Sequence, residues 1–208
     1  VKGRDSDRKR WSWQVVLLPN KYPALTHGPI CATSFRDGMY SAKTGIGSHN
    51  LLITRDHNRG FADLDPKTAA KVFEILQEWH KKEAQDKCIA YTASFFNWGP
   101  TAGASIWHPH YQMLSLPIVP PHSARSLRNA RHYFKKNHRC VRCDVIKEEL
   151  KRKKRVVAEN KNAIAIAPYA AKKPFEVSVL PKKHFPYIWK TPKEVTRDMA
   201  LLLQSVLR

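Results

Sequence analysis

The strongest constraint on how this chain can fold lies in residues 97–112, where two histidines flank a single proline and a glutamine follows. Pro109 holds its own φ near −65° and disfavours a helical conformation for the residue before it. An apolar run follows the glutamine at once, so the segment predicts the entry to a β-strand. Alternate residues of a strand share a face, so His108, His110 and Gln112 are expected to point the same way. Two imidazoles and an amide on one face favour a functional site; an edge strand with two solvated histidines is the alternative.

Length and charge narrow the class of protein. With 208 residues, the chain can form one large domain or two small ones with their own cores. No apolar run reaches the length of a membrane span, and the first residues lack the profile of a signal peptide. The net charge of +20 comes from 37 Lys and Arg against 17 Asp and Glu. Such a charge indicates affinity for phosphate, but it does not choose between a nucleic acid and a small nucleotide.

The four cysteines do not have the pattern of a disulfide framework. Cys31 and Cys88 stand alone in the sequence, whereas Cys140 and Cys143 are separated by two residues, a spacing suited to tetrahedral zinc. A pair of surface cysteines is the alternative for the second pair. This usage indicates a reducing compartment, and we expect a cytoplasmic protein.

Hydrophobic periodicity and turn residues predict an α+β chain. Asp65 is a natural N-cap and Pro66 suits the first position of a helix whose apolar residues recur every three to four positions. Residues 26–43 predict a loop. The predicted strands are residues 11–18, 49–54, 88–96, 113–119, 155–160, 163–167 and 175–180, and the other predicted helices are 125–139, 147–155 and the segment after Pro192.

A loose repeat divides the chain into two similar units. Residues 49–57 and 175–184 each comprise a predicted strand, a charged turn and a histidine, and a proline-opened helix follows each. The first unit continues into two more strands, whereas the second stops after its helix. We expect a first domain at 1–121, and a linker helix plus an incomplete second domain at 122–208. A half-sheet leaves unpaired strand edges, so this pattern is expected of a piece of a longer chain.

With its flanking residues, the histidine segment resembles the galactose-1-phosphate uridylyltransferase family of the histidine-triad superfamily. The His108-Pro-His110-x-Gln112 motif carries the resemblance, with Asn, Gly and Ser at set offsets before it. Further blocks in the family's order are residues 18–25, 47–57 and 174–184. The resemblance covers nearly the whole chain and implies tandem histidine-triad-like (HIT-like) domains. Each would be an antiparallel sheet with packed helices, and the second would be incomplete.

The activity implied by the resemblance is a ping-pong nucleotidyl transfer. His110 would attack the α-phosphorus of a nucleoside diphosphate sugar, release a sugar 1-phosphate and pass the bound nucleotide, in the first instance UMP, to a second acceptor. A neutral imidazole is nucleophilic near pH 7, and covalent catalysis divides one difficult displacement into two. Gln112 would hold a phosphate oxygen. The substrate-binding residues that the family implies are Asn20, Asn97, Gly103 and Ser105.

The resemblance also implies structural zinc at two sites. The first would join His57 and His108 to a CxxC pair that this sequence does not contain upstream of them. The second, found in relatives of the ADP-glucose phosphorylase-like branch, would join Cys140, Cys143 and His184 to a later histidine.

The sequence also fits other functions. A phosphorylase acting on ADP-glucose or a dinucleoside polyphosphate fits the Cys140/Cys143 pair and the bulky Tyr111, which stands where uridylyltransferases commonly carry a small residue. A basic nucleic-acid-binding module would bind with strong salt dependence, and a degenerate nucleotide sensor is a third alternative. Beside the enzyme activity we expect a homodimer, as is common in the family, non-specific nucleic-acid binding and no membrane association.

Overall fold

The computed structural model describes residues 13–104 and 106–208, which form antiparallel sheets packed against helices. The elements of the first unit are β1 (Val15–Pro19), β2 (Ser34–Asp37), β3 (Tyr40–Lys43), β4 (Ser48–Thr54), α1 (Pro66–Glu83), β5 (Tyr91–Phe96) and β6 (His110–Leu116). Those of the second are α2 (Pro121–Asn137), α3 (Val141–Arg152), β7 (Val156–Glu159), β8 (Ala163–Ile166), β9 (Ser178–Pro181) and α4 (Lys193–Val206). The predicted α+β class is confirmed. Within the described ranges, no helix has the length and apolarity needed to cross a bilayer.

The first sheet has the strand order β1-β4-β6-β5, with every neighbouring pair antiparallel. On β6, Tyr111 and Met113 are buried in the core that α1 covers. Since side chains alternate along a strand, His110 and Gln112 belong to the opposite face. Their partners on β4 are Ile53 and Leu51.

Helix α1 begins where the sequence predicts it. The Asp65 side chain accepts hydrogen bonds from the backbone N–H groups of Lys67 and Thr68, each at 3.0 Å. A hydrogen bond with the Thr68 side chain, followed by the bond from the Thr68 backbone N–H, lowers the pKa of Asp65. Pro66 occupies the first helical position, where its missing N–H costs no hydrogen bond. The apolar face of α1 contributes Ala69, Val72, Leu76 and Trp79 to the core.

Residues 26–43 are not the loop that the sequence predicts, because β2 and β3 form an antiparallel hairpin within them. The turn follows Asp37, and Gly38 has φ of 58°, a conformation that glycine adopts at little cost. Glycine at the first of the two turn residues, Gly38-Met39, is a position that tight hairpin turns favour. The prediction was wrong because both strands are exposed, so they lack the apolar pattern by which a half-buried strand is recognised.

The second sheet, β7-β8-β9, is covered on both faces along its central strand. Ile164 and Ile166 of β8 pack against Ile146 of α3. Ala163 and Ala165, which alternate with them, pack against Leu202 of α4. Burial on both faces explains why β8 is a continuous apolar run.

Helix α4 also packs on the first unit. Ala200 belongs to the core of the first sheet. The Gln204 side chain donates to the carbonyls of Phe61 and Leu64, at 3.2 and 2.6 Å. A second contact runs from the first unit to the second: the Gln77 side chain of α1 donates to the backbone carbonyl of Thr191 at 2.6 Å. These buried polar contacts join the two units through α1 and α4.

Cys31 and Cys88 form a disulfide, with their Cα atoms 4.9 Å apart, so the expectation that they stand alone is wrong. They are separated by 57 residues, and they lie in the segment before β2 and the segment before β5. Sequence spacing does not reveal that the fold brings these two segments together.

Candidate active site and metal centres

His110 is the first residue of β6 and is 8% exposed. Its Nδ1 lies 2.9 Å from the backbone carbonyl oxygen of His108. A carbonyl oxygen only accepts hydrogen bonds, so Nδ1 carries the proton. In the neutral ring, the lone pair is therefore on Nε2, which makes Nε2 the nucleophilic atom.

His108 precedes β6, and its ring is directed towards the end of β4. Its Nε2 donates to the Thr54 carbonyl at 2.6 Å, which leaves a lone pair on Nδ1. That Nδ1 lies 2.8 Å from Nδ1 of His57. Of the three residues expected to share a face, His110 and Gln112 do so within β6. His108 lies before the strand and contacts His57 instead.

Two imidazole nitrogens that converge in this way can serve as ligands of one metal ion. Zinc–nitrogen bonds are about 2.0–2.1 Å long, which separates two tetrahedral ligand atoms by about 3.3 Å. A small rotation of either ring from the present 2.8 Å separation of His57 and His108 reaches that value. The donor set therefore fits half of a tetrahedral site.

The loop between β5 and β6 passes beside His110. Phe96 pairs with Tyr111, so Asn97 follows β5 at the level of His110 on the neighbouring strand. Gly103 has φ of 76° and its N–H donates to the Pro100 carbonyl at 2.9 Å, which closes a short 3-10 turn. Of the expected substrate-binding residues, Ser105 lies outside the described ranges.

Asn20 lies at the far end of β1 beside a residue that the sequence reasoning missed, His49. The Asn20 amide nitrogen is 3.1 Å from Nε2 of His49, and the Ala24 N–H donates to Nδ1 of the same ring at 3.1 Å. Asn20 and His49 line a cavity of about 300 Å³. Strand alternation places His49 on the face that carries His110, and this was the available signal.

The cavity and His110 are separated by about 13 Å along the sheet. This length follows from the register, since Val16 lies across β4 from His110 and Asn20 is four residues further along, at about 3.3 Å per residue. A ligand in contact with both ends would lie along this face of the sheet.

Tyr111, whose bulk in the sequence fits a phosphorylase, does not line the face that carries His110. It is 5% exposed and stacks on Phe96, with ring centroids 4.5 Å apart. Burial raises the pKa of its hydroxyl. The alternation that directs His110 to one face directs Tyr111 into the core, so this residue does not favour either nucleotide.

A second cluster lies in the other unit, where Cys140 caps α3, Cys143 is in its first turn, and His184 follows β9. The candidate ligand atoms of the three residues all lie within 4.8 Å of one another. Sγ of Cys143 is 3.2 Å from Nδ1 of His184. Burial raises the pKa of the Cys143 thiol, and a hydrogen bond between its S–H and the side chain of Cys140 is the next cause. Two sulfurs and one imidazole fit three positions of a tetrahedral zinc site.

Comparison with known proteins gives consistent similarities. Residues 126–208 match the family model described as galactose-1-phosphate uridyl transferase, C-terminal domain. The chain is 30% identical over 199 residues to ADP-glucose phosphorylase of Arabidopsis thaliana, an alignment that covers 95% of this chain and 55% of that protein. It is 26% identical over 195 residues to galactose-1-phosphate uridylyltransferase of Thermotoga maritima, covering 93% of this chain and 61% of that protein.

A solved structure of a uridylyltransferase superposes with a TM-score of 0.85 at 29% identity, covering 93% of this chain and 62% of that one. The chain thus spans between about half and two thirds of the length of these relatives. The similarity in sequence and fold extends over both units and the histidine segment, so over nearly its whole length the chain is similar to galactose-1-phosphate uridylyltransferases and to ADP-glucose phosphorylase.

Proposed function

We propose that the protein transfers a nucleoside monophosphate, UMP in the first instance, between a nucleoside diphosphate sugar and a hexose 1-phosphate, as a step of galactose metabolism. Nε2 of His110 attacks the α-phosphorus, a nitrogen–phosphorus bond forms, and the bond to the bridging oxygen breaks to release sugar 1-phosphate. In the second half-reaction, the phosphate oxygen of another sugar 1-phosphate takes the nucleotide and regenerates the histidine. The observation that carries this proposal is the hydrogen bond from Nδ1 of His110 to the His108 carbonyl, because it directs the lone pair to Nε2.

The neighbouring residues have roles suited to binding the phosphate and the nucleoside. Gln112, on the same face as His110, donates its amide N–H to a non-bridging oxygen and so stabilises charge as it develops. In the loop beside His110, Asn97 contacts the nucleotide and Ser105 holds a phosphate oxygen. Gly103, which has no side chain, lets the ligand approach the backbone closely. Asn20 binds the nucleoside in the cavity that it shares with His49.

Covalent labelling tests the nucleophile. The protein is incubated separately with UDP-glucose and ADP-glucose, and the intact mass is measured at neutral pH. We expect a mass increase of one nucleotide in the wild-type protein and none in His110→Asn. His122→Asn is the matched control, because His122 is exposed on α2 and its substitution leaves labelling intact. Labelling of His110→Asn at the wild-type level would exclude the proposed role.

A phosphorylase acting on ADP-glucose or a dinucleoside polyphosphate is the second candidate function. The approach of Cys140, Cys143 and His184 supports it, because the ADP-glucose phosphorylase-like branch is where the sequence resemblance implies a metal at this position. In this case the acceptor is inorganic phosphate and the labelling nucleotide is AMP. Labelling by ADP-glucose but not by UDP-glucose, with release of ADP on addition of phosphate, identifies this activity.

Zinc is the proposed cofactor, in a structural role. Cys140, Cys143 and His184 supply three ligands of one site, and His57 and His108 supply two of another. When bound, the metal supplies cross-links between distant segments rather than chemistry at phosphorus. We expect metal analysis to find zinc in protein purified with reduced thiols, and Cys140→Ser/Cys143→Ser to lose it and to melt at a lower temperature. Absence of zinc in protein with both thiols reduced excludes the second site.

The remaining proposals concern domain organisation, oligomeric state, cellular location and nucleic-acid binding. We propose a first HIT-like domain at 1–121, and a linker helix plus a partial second HIT-like domain at 122–208. Two copies of the chain would form a homodimer, as the family resemblance implies. We propose the cytoplasm as its location, with the free thiols of Cys140 and Cys143 in support, although the Cys31–Cys88 disulfide is more typical of an oxidising compartment. Non-specific nucleic-acid binding beside the enzyme activity is supported by the net charge of +20.

A further inference from the structure

Helix α2 carries a set of cations that its own sequence does not neutralise. Between Pro121 and Asn137 there is no Asp or Glu. The five exposed cations of the helix are Arg125, Arg128, Arg131, Lys135 and Lys136. Among the residues for which the structure gives contacts, none of the five is in an ion pair.

The neighbouring basic segment, residues 139–155, differs from α2 because several of its cations are in ion pairs. In and after α3, Arg152 pairs with Glu148. Arg155 pairs with Glu149 at 2.7 Å, and Lys153 pairs with Glu159 at 2.6 Å. With the pair of Arg139 and Asp144, four of the eight cations between residues 139 and 155 are therefore in ion pairs, whereas the five of α2 face solvent without one in the described part of the chain.

The five cations also lie on one side of α2. At 100° per residue they fall within an arc of about 140° on the helix circumference. The side that contacts the protein is opposite: Tyr133 donates to Asp144 at 2.7 Å, and Ser123 donates to Tyr91 at 3.1 Å. The basic arc is thus directed away from the body of the molecule.

Two further features suit a polyanion on this arc. From Arg125 to Lys136 the cations extend about 16 Å along the helix axis at about 1.5 Å per residue, which matches about five phosphates of one strand at about 3.4 Å each. Next to the start of α2, the amine of Lys172 contacts the ring of His122, which adds another cation to the same region. Three of the five are arginines, which bind phosphate through two parallel hydrogen bonds.

We infer that the basic arc of α2 is a docking surface for the sugar-phosphate backbone of a nucleic acid, bound without reading its sequence. A membrane surface fits less well, because a helix that inserts into lipid buries a continuous apolar face. On α2, the exposed large apolar residues are Leu127 and Phe134 alone, and they flank the protein side of the helix. This surface is separate from the His110 site and does not depend on the proposed enzyme activity.

Salt-dependent binding tests the surface directly. A fluorescein-labelled 20-nucleotide RNA of mixed sequence is titrated with the protein at several KCl concentrations, and binding is followed by fluorescence anisotropy. The α2 variant changes the five cations to glutamine: R125Q, R128Q, R131Q, K135Q and K136Q. On a single strand, each phosphate contact contributes about 0.7 to the slope of log affinity against log salt concentration. Because the variant lacks five cations, we expect its slope to be smaller in magnitude than that of the wild type by about 3.5.

A second five-fold variant removes the same charge elsewhere on the exposed surface of the chain, from α1, the segment after it and α4: K81Q, K82Q, K87Q, K193Q and R197Q. We expect it to keep most of the wild-type slope. Circular dichroism and thermal melting confirm that both variants are folded, and nucleotide labelling of His110 distinguishes loss of this surface from loss of the enzyme site.

Three results would overturn the inference. One is an unchanged slope in the folded α2 variant, and another is an equal loss in the control variant. The third is tighter binding to vesicles containing phosphatidylserine than to RNA at the same ionic strength, because that outcome assigns the arc to a membrane.

Discussion

At the scale of single residues, hydrogen bonds to backbone carbonyls determine which ring nitrogen donates in each of the two histidines of the His-Pro-His segment. His110 donates through Nδ1 and His108 through Nε2, so the two neutral rings are opposite tautomers. The lone pair of His110 is therefore available to a substrate, and that of His108 is directed at His57. Two residues of one type acquire different chemistry from their local partners.

A third histidine, His80 in α1, makes the stability of the fold depend on pH. It is 8% exposed, and its ring nitrogens lie 2.8 Å from the hydroxyl of Thr92 and 3.2 Å from that of Ser94. Burial lowers its pKa, and the negative charge of Glu83 opposes this effect. Because the unfolded chain takes up the proton first, the stabilisation by neutral His80 is present above about pH 6.5 and is lost as the pH falls towards the lower pKa of the folded state.

We expect the free energy of unfolding to fall between pH 7.5 and pH 5.5, with a contribution from His80 of at most about 1.4 kcal/mol per pH unit. Urea denaturation of the wild type and of His80→Gln at both pH values measures this contribution. The variant should lose less stability than the wild type over this interval. An equal loss in both proteins would assign the pH dependence to other groups.

At the scale of elements, the hairpin β2–β3 and the segment before it are tied to the sheet by few contacts apart from the disulfide. The Thr26 N–H donates to the Gly45 carbonyl at 3.0 Å. His27 is 3.9 Å from Asp86, in the same connection that carries Cys88. Asn20 and Ala24, which contact His49, lie in this segment, so the disulfide holds one wall of the cavity.

Reduction of the Cys31–Cys88 disulfide should lower the free energy of unfolding. A cross-link across 57 residues stabilises by about 4 kcal/mol in the chain-entropy model, and about 2–4 kcal/mol is typical of measured cases. Urea denaturation with and without a phosphine reductant measures the change. The variant Cys31→Ser/Cys88→Ser is the control, since its stability should not depend on reductant through this pair. A wild-type protein equally stable in both conditions would show that the cross-link adds nothing.

At the scale of the whole molecule, α1 and α4 make one structure of the two units. Gln77 and Gln204 are buried, and each donates to backbone carbonyls of the other unit. Such contacts are specific, because a buried carbonyl without a donor is costly. The two sheets are therefore expected to unfold together.

Replacement of Gln204 with leucine tests this coupling. The change leaves the carbonyls of Phe61 and Leu64 without their donor, so we expect a loss of about 1–3 kcal/mol in the free energy of unfolding. Gln85→Leu is the control, because Gln85 is exposed. The wild type should unfold in a single transition by fluorescence and circular dichroism, whereas two separate transitions would show that the units are independent.

Short-range patterns were sufficient for much of the fold and for the His-Pro-His segment. The Asp65 cap, the apolar period of α1 and the alternation of β6 are encoded within a few residues of each other, so the elements and the shared face of His110 and Gln112 could be predicted. The hairpin β2–β3 could not be recognised by alternation, because its strands are exposed on both faces.

The sequence alone therefore determined most of the helices and strands, the shared face of His110 and Gln112, and the family resemblance from which zinc and nucleotidyl transfer are inferred. Tertiary structure decided which distant residues meet: His57 with His108, His184 with Cys143, Asn20 with His49, and Cys31 with Cys88. It also decided that Tyr111 lies in the core rather than beside the substrate. The physical reason is that periodicity and capping act over one or two turns of chain, whereas these encounters depend on how sheets and helices pack across tens of residues.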